Sequence, residues 1–244
     1  MDHDHTQNAA REKWDEVFSS LRCREDIVFD DWLDRFFDDI SNCATPIIDL
    51  GCGAGNNIRY LLEKRKGVIA CDFSQNAIAG AKKNFPEILS ALCFDMTDGL
   101  PFAENFTDII IADLTLHYFD SETTHRILND IRRVLTKQGM LLFRVNSTLD
   151  THHGAGAGLE MQRHYYMTTD GTYKRYFDRQ DIEHFFAKWN LISIEERQID
   201  RFEKPKALWM GAAKPIDQQY GGTDYERSHV FGHAEDAISA LGEK

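Results

Sequence analysis

Asp49, Gly51, Gly53 and Gly55 stand at alternate positions in the stretch Pro46-Ile47-Ile48-Asp49-Leu50-Gly51-Cys52-Gly53-Ala54-Gly55-Asn56-Asn57. Glycine is required where the backbone takes positive φ, or where a ligand lies against the main chain with no room for a Cβ. A helical pattern follows at 58–62, and a helix start offers free N–H groups to a ligand. The stretch therefore reads as a buried strand, a tight turn and a helix start that hold a nucleotide-type ligand, with Cys52 and Asn57 inside the turn. A dinucleotide fingerprint needs its third glycine at the sixth position, which counted from Gly51 is Asn56. A Walker loop needs Gly-Lys-Ser/Thr, which this stretch lacks. Three further acids each end a predicted strand: Asp72, followed by Phe73; Asp95, followed by Met96; and Asp113. A carboxylate at the second strand end can accept from both ribose hydroxyls, and ligands of open α/β sheets bind outside the carboxyl ends of the strands. Asp95 with Met96 suits an adenine edge and ring face. With no Lys or Arg at these ends a diphosphate is poorly served, whereas a ligand with ribose, adenine and a positive charge fits.

The elements that must position these residues alternate from 46 onward. Strands are predicted at 47–50, 67–71, 88–94, 107–112 and 140–145, with helices from 58, from the Ser74 cap, and over 123–135. Such alternation argues for a parallel sheet covered by helices on both faces. The connection 146–177 is long, glycine- and tyrosine-rich, and so reads as functional rather than disordered. Asp178 can cap a helix through Ile182, Phe185 and Phe186, and 191–197 and 207–213 read as two final strands. Before the sheet, 11–42 looks helical, with Trp14, Val17, Phe18 and Leu21, then Val28, Trp32, Phe36 and Ile40, at helical spacing, and with Phe29, Leu33 and Phe37 beside them. That apolar face either packs on the main domain or covers a binding site as a lid. Asp30, Asp31, Asp34, Asp38 and Asp39 read as a solvated face. The expected organisation is a helical extension or lid (1–45), one ligand-binding domain (46–214) and a polar tail (215–244) with a short helix-like patch at 234–241.

With 28 basic against 40 acidic residues the net charge is −12, which argues against a broad phosphate-binding surface. No apolar run approaches the roughly 20 residues that span a bilayer, and the acidic start is not a secretory signal. The five cysteines (Cys23, Cys43, Cys52, Cys71, Cys93) are scattered and odd in number. They read as reduced thiols of a cytoplasmic protein rather than as a disulfide set. No CxxC pair is present and no metal site is expected; His152 and His153 lack a carboxylate at ligand spacing, and His3 and His5 belong to a frayed terminus.

Together these motifs resemble the class I S-adenosylmethionine-dependent methyltransferases. Asp49-x-Gly51-x-Gly53-x-Gly55 looks like their motif I, Asp72 like the ribose-binding acid, Asp95-Met96 like the adenine-site pair, 108–118 like motif IV, and 139–144 like the fifth-strand motif. The resemblance covers roughly 46–213. It implies a Rossmann-like, doubly wound, seven-stranded mostly parallel sheet with a reversed final strand, for which 207–213 is the candidate. It also implies S-adenosylmethionine as cofactor and S-adenosylhomocysteine as product. Tyr173-Lys174-Arg175-Tyr176-Phe177 looks more narrowly like the ubiquinone-methyltransferase-like and tellurite-resistance-like groups.

The resulting expectation is in-line methyl transfer to a small-molecule acceptor, in which positioning and desolvation do most of the work. His117 is a candidate base and Tyr118 a candidate pocket wall. Arg144 and Asn146 can orient an acceptor, and Lys174 with Tyr176 can hold an anionic one. Nucleic acid and membrane partners are not expected, and the chain is taken as a monomer or homodimer. Three alternatives stay open: a non-catalytic S-adenosylmethionine-binding regulator, an RNA methyltransferase, which salt-sensitive RNA binding would favour, and an NAD-dependent oxidoreductase.

Overall fold

The computed structural model describes residues 3–19, 27 and 30–216. Leu21, Cys23, Val28, Phe29 and the tail from 217 onward lie outside the described residues, as do the side chains of His3 and His5. Helix α1 spans His3–Val17. A 3-10 turn at Trp32–Phe36 leads into α2 (Phe37–Asn42). Then follow β1 (Ile47–Leu50), α3 (Asn56–Glu63), β2 (Val68–Asp72), α4 (Gln75–Asn84), β3 (Ser90–Cys93), β4 (Thr107–Asp113), α5 (Ser121–Val134) and β5 (Leu135–Asn146). The chain closes through β6 (Leu159–Gln162), β7 (Tyr165–Met167), β8 (Tyr173–Arg175), α6 (Arg179–Phe185), β9 (Trp189–Ile199) and β10 (Lys206–Pro215).

The main sheet has seven strands in the order β3-β2-β1-β4-β5-β10-β9. β10 runs antiparallel to both β5 and β9, while β3, β2, β1, β4 and β5 pair in parallel. The expected reversed strand is therefore present, set between β5 and β9. Every residue of β1 and β2 is buried, as apolar strands covered on both faces should be. One face packs on α5 and α6 through Ile127, Leu128, Ile131, Ile182 and Phe185. The other packs on α3, α4 and the N-terminal segment through Ile58, Leu61, Ile78, Leu33 and Ile40. Strand order turns back between β1 and β4, and such a switch point opens a crevice at the carboxyl ends of the strands.

Three readings change at this level. The 11–42 helix is instead α1 and, further on, the 3-10 turn with α2. The long connection 146–177 carries a second, antiparallel sheet, β6-β7-β8, built from strands of three or four residues that are too short to show a period. The acidic run 30–39 is not a uniform solvated face. Asp30 pairs with Arg144 at 2.7 Å and with Arg201 at 3.0 Å, and Asp34 accepts from the Tyr60 hydroxyl at 2.7 Å.

Candidate active site

The glycine turn lies at the carboxyl end of β1, where the strand order reverses. Gly51 has φ +78°, and a Cβ there would stand 2.6 Å from Thr115 Oγ1; at Gly55, φ +94°, it would stand 2.5 Å from Phe85. Both positions combine left-handed backbone with a close neighbour, so only glycine fits. Asp72, at the end of β2, accepts from the Gly53 N–H and the Ser74 N–H, each at 2.9 Å. It thus ties the turn to the start of α4. Burial pushes its carboxyl up, against those backbone hydrogen bonds. Asp95 caps a short 3-10 turn by accepting from Thr97 N–H at 2.9 Å, with Met96 packed on the core beside it. Cys52 is buried, and Phe73 half-buried next to Asp72.

Asp49 is fully buried, and its Oδ1 accepts from Asn57 Nδ2 at 3.0 Å. Its Oδ2 has no hydrogen-bond partner. Burial pushes its carboxyl up to about 7; Asn57 opposes this, and Asp113 and Asp72 add to it. A buried carboxylate oxygen without a partner calls for a ligand, and a cation would restore its ordinary ionisation. The amide of Asn57 is already engaged, because its Oδ1 accepts from Trp32 Nε1 at 3.0 Å.

Trp32 in turn covers Arg144, whose guanidinium carbon lies 4.6 Å from its ring centre. Arg144 is wholly buried at the end of β5 and holds Asp113 through two hydrogen bonds of 2.7 Å. Burial works against its charge, but Asp113 and Asp30 outweigh it and keep the arginine protonated. Asp113 therefore turns its carboxylate to Arg144, as part of a network with Asp30 and Arg201. Arg144 Nη1 and the Oδ1 of the buried Asn146 are left without partners.

Beyond β4, a 3-10 turn carries His117 and Tyr118. His117 is buried and its Nδ1 is unpaired. Burial pushes it well below the usual histidine range, helped by Lys206 and Lys174, so the ring is neutral at pH 7. Burial also raises the Tyr118 hydroxyl, with Tyr176 contributing. Tyr176 is buried and donates to His153 O at 2.7 Å. Lys174 is half-buried, and burial and Lys206 depress it. His153 does have a carboxylate partner: its Nδ1 lies 2.8 Å from Asp150 Oδ1, and Asp150 also takes Lys206 at 2.7 Å. A second cluster, His164, Asp178 and Asp181, is engaged by the Arg163 guanidinium, which pairs with both carboxylates.

α1 lies over this edge of the sheet. Trp14 stacks on Phe18 and meets Tyr118 edge-on at 5.5 Å, and the Phe18 ring would touch a Cβ placed on Gly53, at 3.1 Å. Asp15 accepts from Ser74 Oγ and from the Asn76 N–H at the start of α4, and Lys13 pairs with Asp170 in the β7–β8 connection. The sequence reading did not single out Thr115 or Arg201, and it took Asp30 only as part of a solvated face and Trp32 only as part of an apolar one. Their roles come from pairs such as Asp30 and Arg201, 171 positions apart, and no local spacing marks them.

Residues 48–143 match a family model described as a methyltransferase domain. The strand order and the reversed β10 are those of the class I S-adenosylmethionine-dependent methyltransferase fold, and the matched stretch carries its glycine turn and parallel strands. Among curated proteins it is 29% identical over 164 residues to the tRNA N(3)-methylcytidine methyltransferase Mettl2 of Drosophila melanogaster, covering 63% of this chain and 50% of that protein. It is 27% identical to the tRNA N(3)-cytidine methyltransferase METTL2 of Gallus gallus, covering 66% and 46%. The chain thus spans about half the length of these relatives. Among solved structures, an S-adenosylmethionine-dependent methyltransferase of Methanosarcina mazei shares the fold at TM-score 0.62 and 15% identity, over 71% of this chain and 93% of that one.

These relatives overturn the expectation of a small-molecule acceptor and of no nucleic-acid partner. The net charge misled because it reports how strongly a whole surface attracts phosphates.

Proposed function

We propose that the chain methylates N3 of a cytidine in tRNA. The observation that carries this is the run of curated relatives, 24–29% identical, all named as tRNA N3-cytidine or N3-methylcytidine methyltransferases. The site suits that chemistry. When bound, S-adenosylmethionine supplies an electrophilic methyl group on a sulfonium. The lone pair of cytosine N3 forms the new N–C bond, the S–C electron pair returns to sulfur, and the positive charge passes to the base. No proton leaves, so no general base is required, in keeping with a buried, neutral His117.

Asp49 sets a carboxylate oxygen under the glycine turn for the cationic end of the cofactor, and Gly51, Gly53 and Gly55 let the main chain approach it. Asp72 and Phe73 attend the ribose, Asp95 and Met96 the adenine. Cys52 and Asn57 support the turn, and Asp113 holds Arg144 in place. Residues 46–214 form the catalytic domain and α1 its cover. Lys174, Tyr118 and Tyr176 lie on the acceptor side.

The test is incubation with unmodified tRNA and methyl-labelled S-adenosylmethionine, followed by nucleoside digestion and mass spectrometry. Labelled 3-methylcytidine is the expected product. Folded protein that binds S-adenosylhomocysteine yet labels no tRNA cytidine would overturn the reading.

A further inference from the structure

Arg144 and Asn146 are two positions apart on β5 and so project to one face of the sheet, the face on which Trp32 covers Arg144. Both are buried, at 0% and 2% exposure, and each keeps one polar atom unpaired: a donor, Arg144 Nη1, and an acceptor, Asn146 Oδ1. Two adjacent buried groups of opposite hydrogen-bonding sense, left without partners, are what a polar ligand edge completes. Arg144 cannot swing away to solvent, because Asp113 holds it by two bonds and Asp30 by a third.

We infer that Arg144 and Asn146 together read the Watson–Crick edge of the target cytosine and set its specificity, an assignment that rests on the proposed cytidine N3 activity. Cytosine carries an acceptor, O2, and a donor, the 4-amino group, on either side of N3. Arg144 Nη1 donates to O2, Asn146 Oδ1 accepts from the 4-amino group, and N3 between them keeps its lone pair for the methyl group. Uracil presents oxygens on both sides of a protonated N3. Its O4 meets the acceptor of Asn146, and its N3–H has no free pair to attack with. A site built to hydrogen-bond a substrate group rejects an analogue that lacks it far more strongly than an apolar pocket would.

The experiment uses RNA stem–loops that carry, at the cytidine the wild type methylates, either cytidine or pyrimidin-2-one riboside, which lacks the 4-amino group and keeps N3. The wild type is expected to favour cytidine about 30-fold in kcat/KM, in the range of one lost hydrogen bond to a buried group. Asn146→Leu, whose new side chain lies beside Leu208 of β10, should lose that preference and fall on cytidine to the wild-type level on the analogue. Its S-adenosylhomocysteine affinity should be unchanged. Asn146→Asp, which keeps an acceptor, should retain the preference. An Asn146→Leu protein that binds S-adenosylhomocysteine normally and still prefers cytidine 30-fold overturns the inference and leaves the proposed function standing. Wild type that methylates no RNA removes both.

Discussion

Asp49 shows how a single buried group links pH, stability and ligand affinity. Its folded carboxyl is pushed up to about 7, from the ordinary aspartate value of about 3.9, because burial outweighs the hydrogen bond from Asn57. The native state therefore holds a proton that the unfolded chain has already lost. Stability from this group is greatest below about pH 4 and falls as pH rises, until the loss is complete above 7, a difference on the order of 4 kcal/mol. Asp49→Asn keeps the contact with Asn57 and removes the titration. We expect the apo variant to melt close to wild type near pH 4 and several degrees higher at pH 8, by scanning calorimetry. Its affinity for S-adenosylmethionine should fall most at pH 8, where the wild-type carboxylate is charged. A variant that melts lower than wild type at pH 8 would refute this. The position of Asp49 was legible in the sequence, since an acid before alternate glycines at a strand end is a local pattern. Its unpaired oxygen was not, because burial and partners belong to the folded chain.

At the level of elements, α1 depends on few contacts. Trp14 and the following Phe18 lie on Tyr118 and the glycine turn, and Asp15 is bonded at the start of α4. A carboxylate at a helix N-terminus contributes about 0.5–2 kcal/mol through its hydrogen bonds and the helix dipole. Asp15→Ala should therefore raise the dissociation rate of S-adenosylhomocysteine about 2- to 30-fold in stopped-flow measurements, with little change in melting temperature. An unchanged rate would show that α1 does not gate the cofactor. Periodicity found the apolar face of this segment, yet could not say what it lies on. Strands β1, β2 and β4 were legible because continuous apolar runs end in acids, and β5 because an apolar run follows Gly139. The β6–β8 sheet was hidden because three-residue strands carry no usable period.

For the molecule as a whole, the acidic balance and the proposed RNA substrate have to be reconciled. Among the described residues around the proposed acceptor side, Lys206 pairs with Asp150, Arg201 with Asp30, Arg163 with Asp178 and Lys13 with Asp170. Few counterions are then released on binding, so log Kd for tRNA should rise with log salt at a slope of about 1–3. A slope of about 6 or more, measured by filter binding or anisotropy, would mean that a larger basic surface takes part. The seven-stranded order and cofactor class were legible because they rest on repeated local signals. The proposed acceptor was not, because net charge reports on the whole surface and not on any one pocket. The bond between Lys13 and Asp170 also joins the cover over the glycine turn to the β7–β8 hairpin on the acceptor side. Under the proposed function, departure of the methylated RNA and exchange of spent cofactor would share one undocking event. Such coupling predicts a pre-steady-state burst, in which the first methyl group appears faster than every later one.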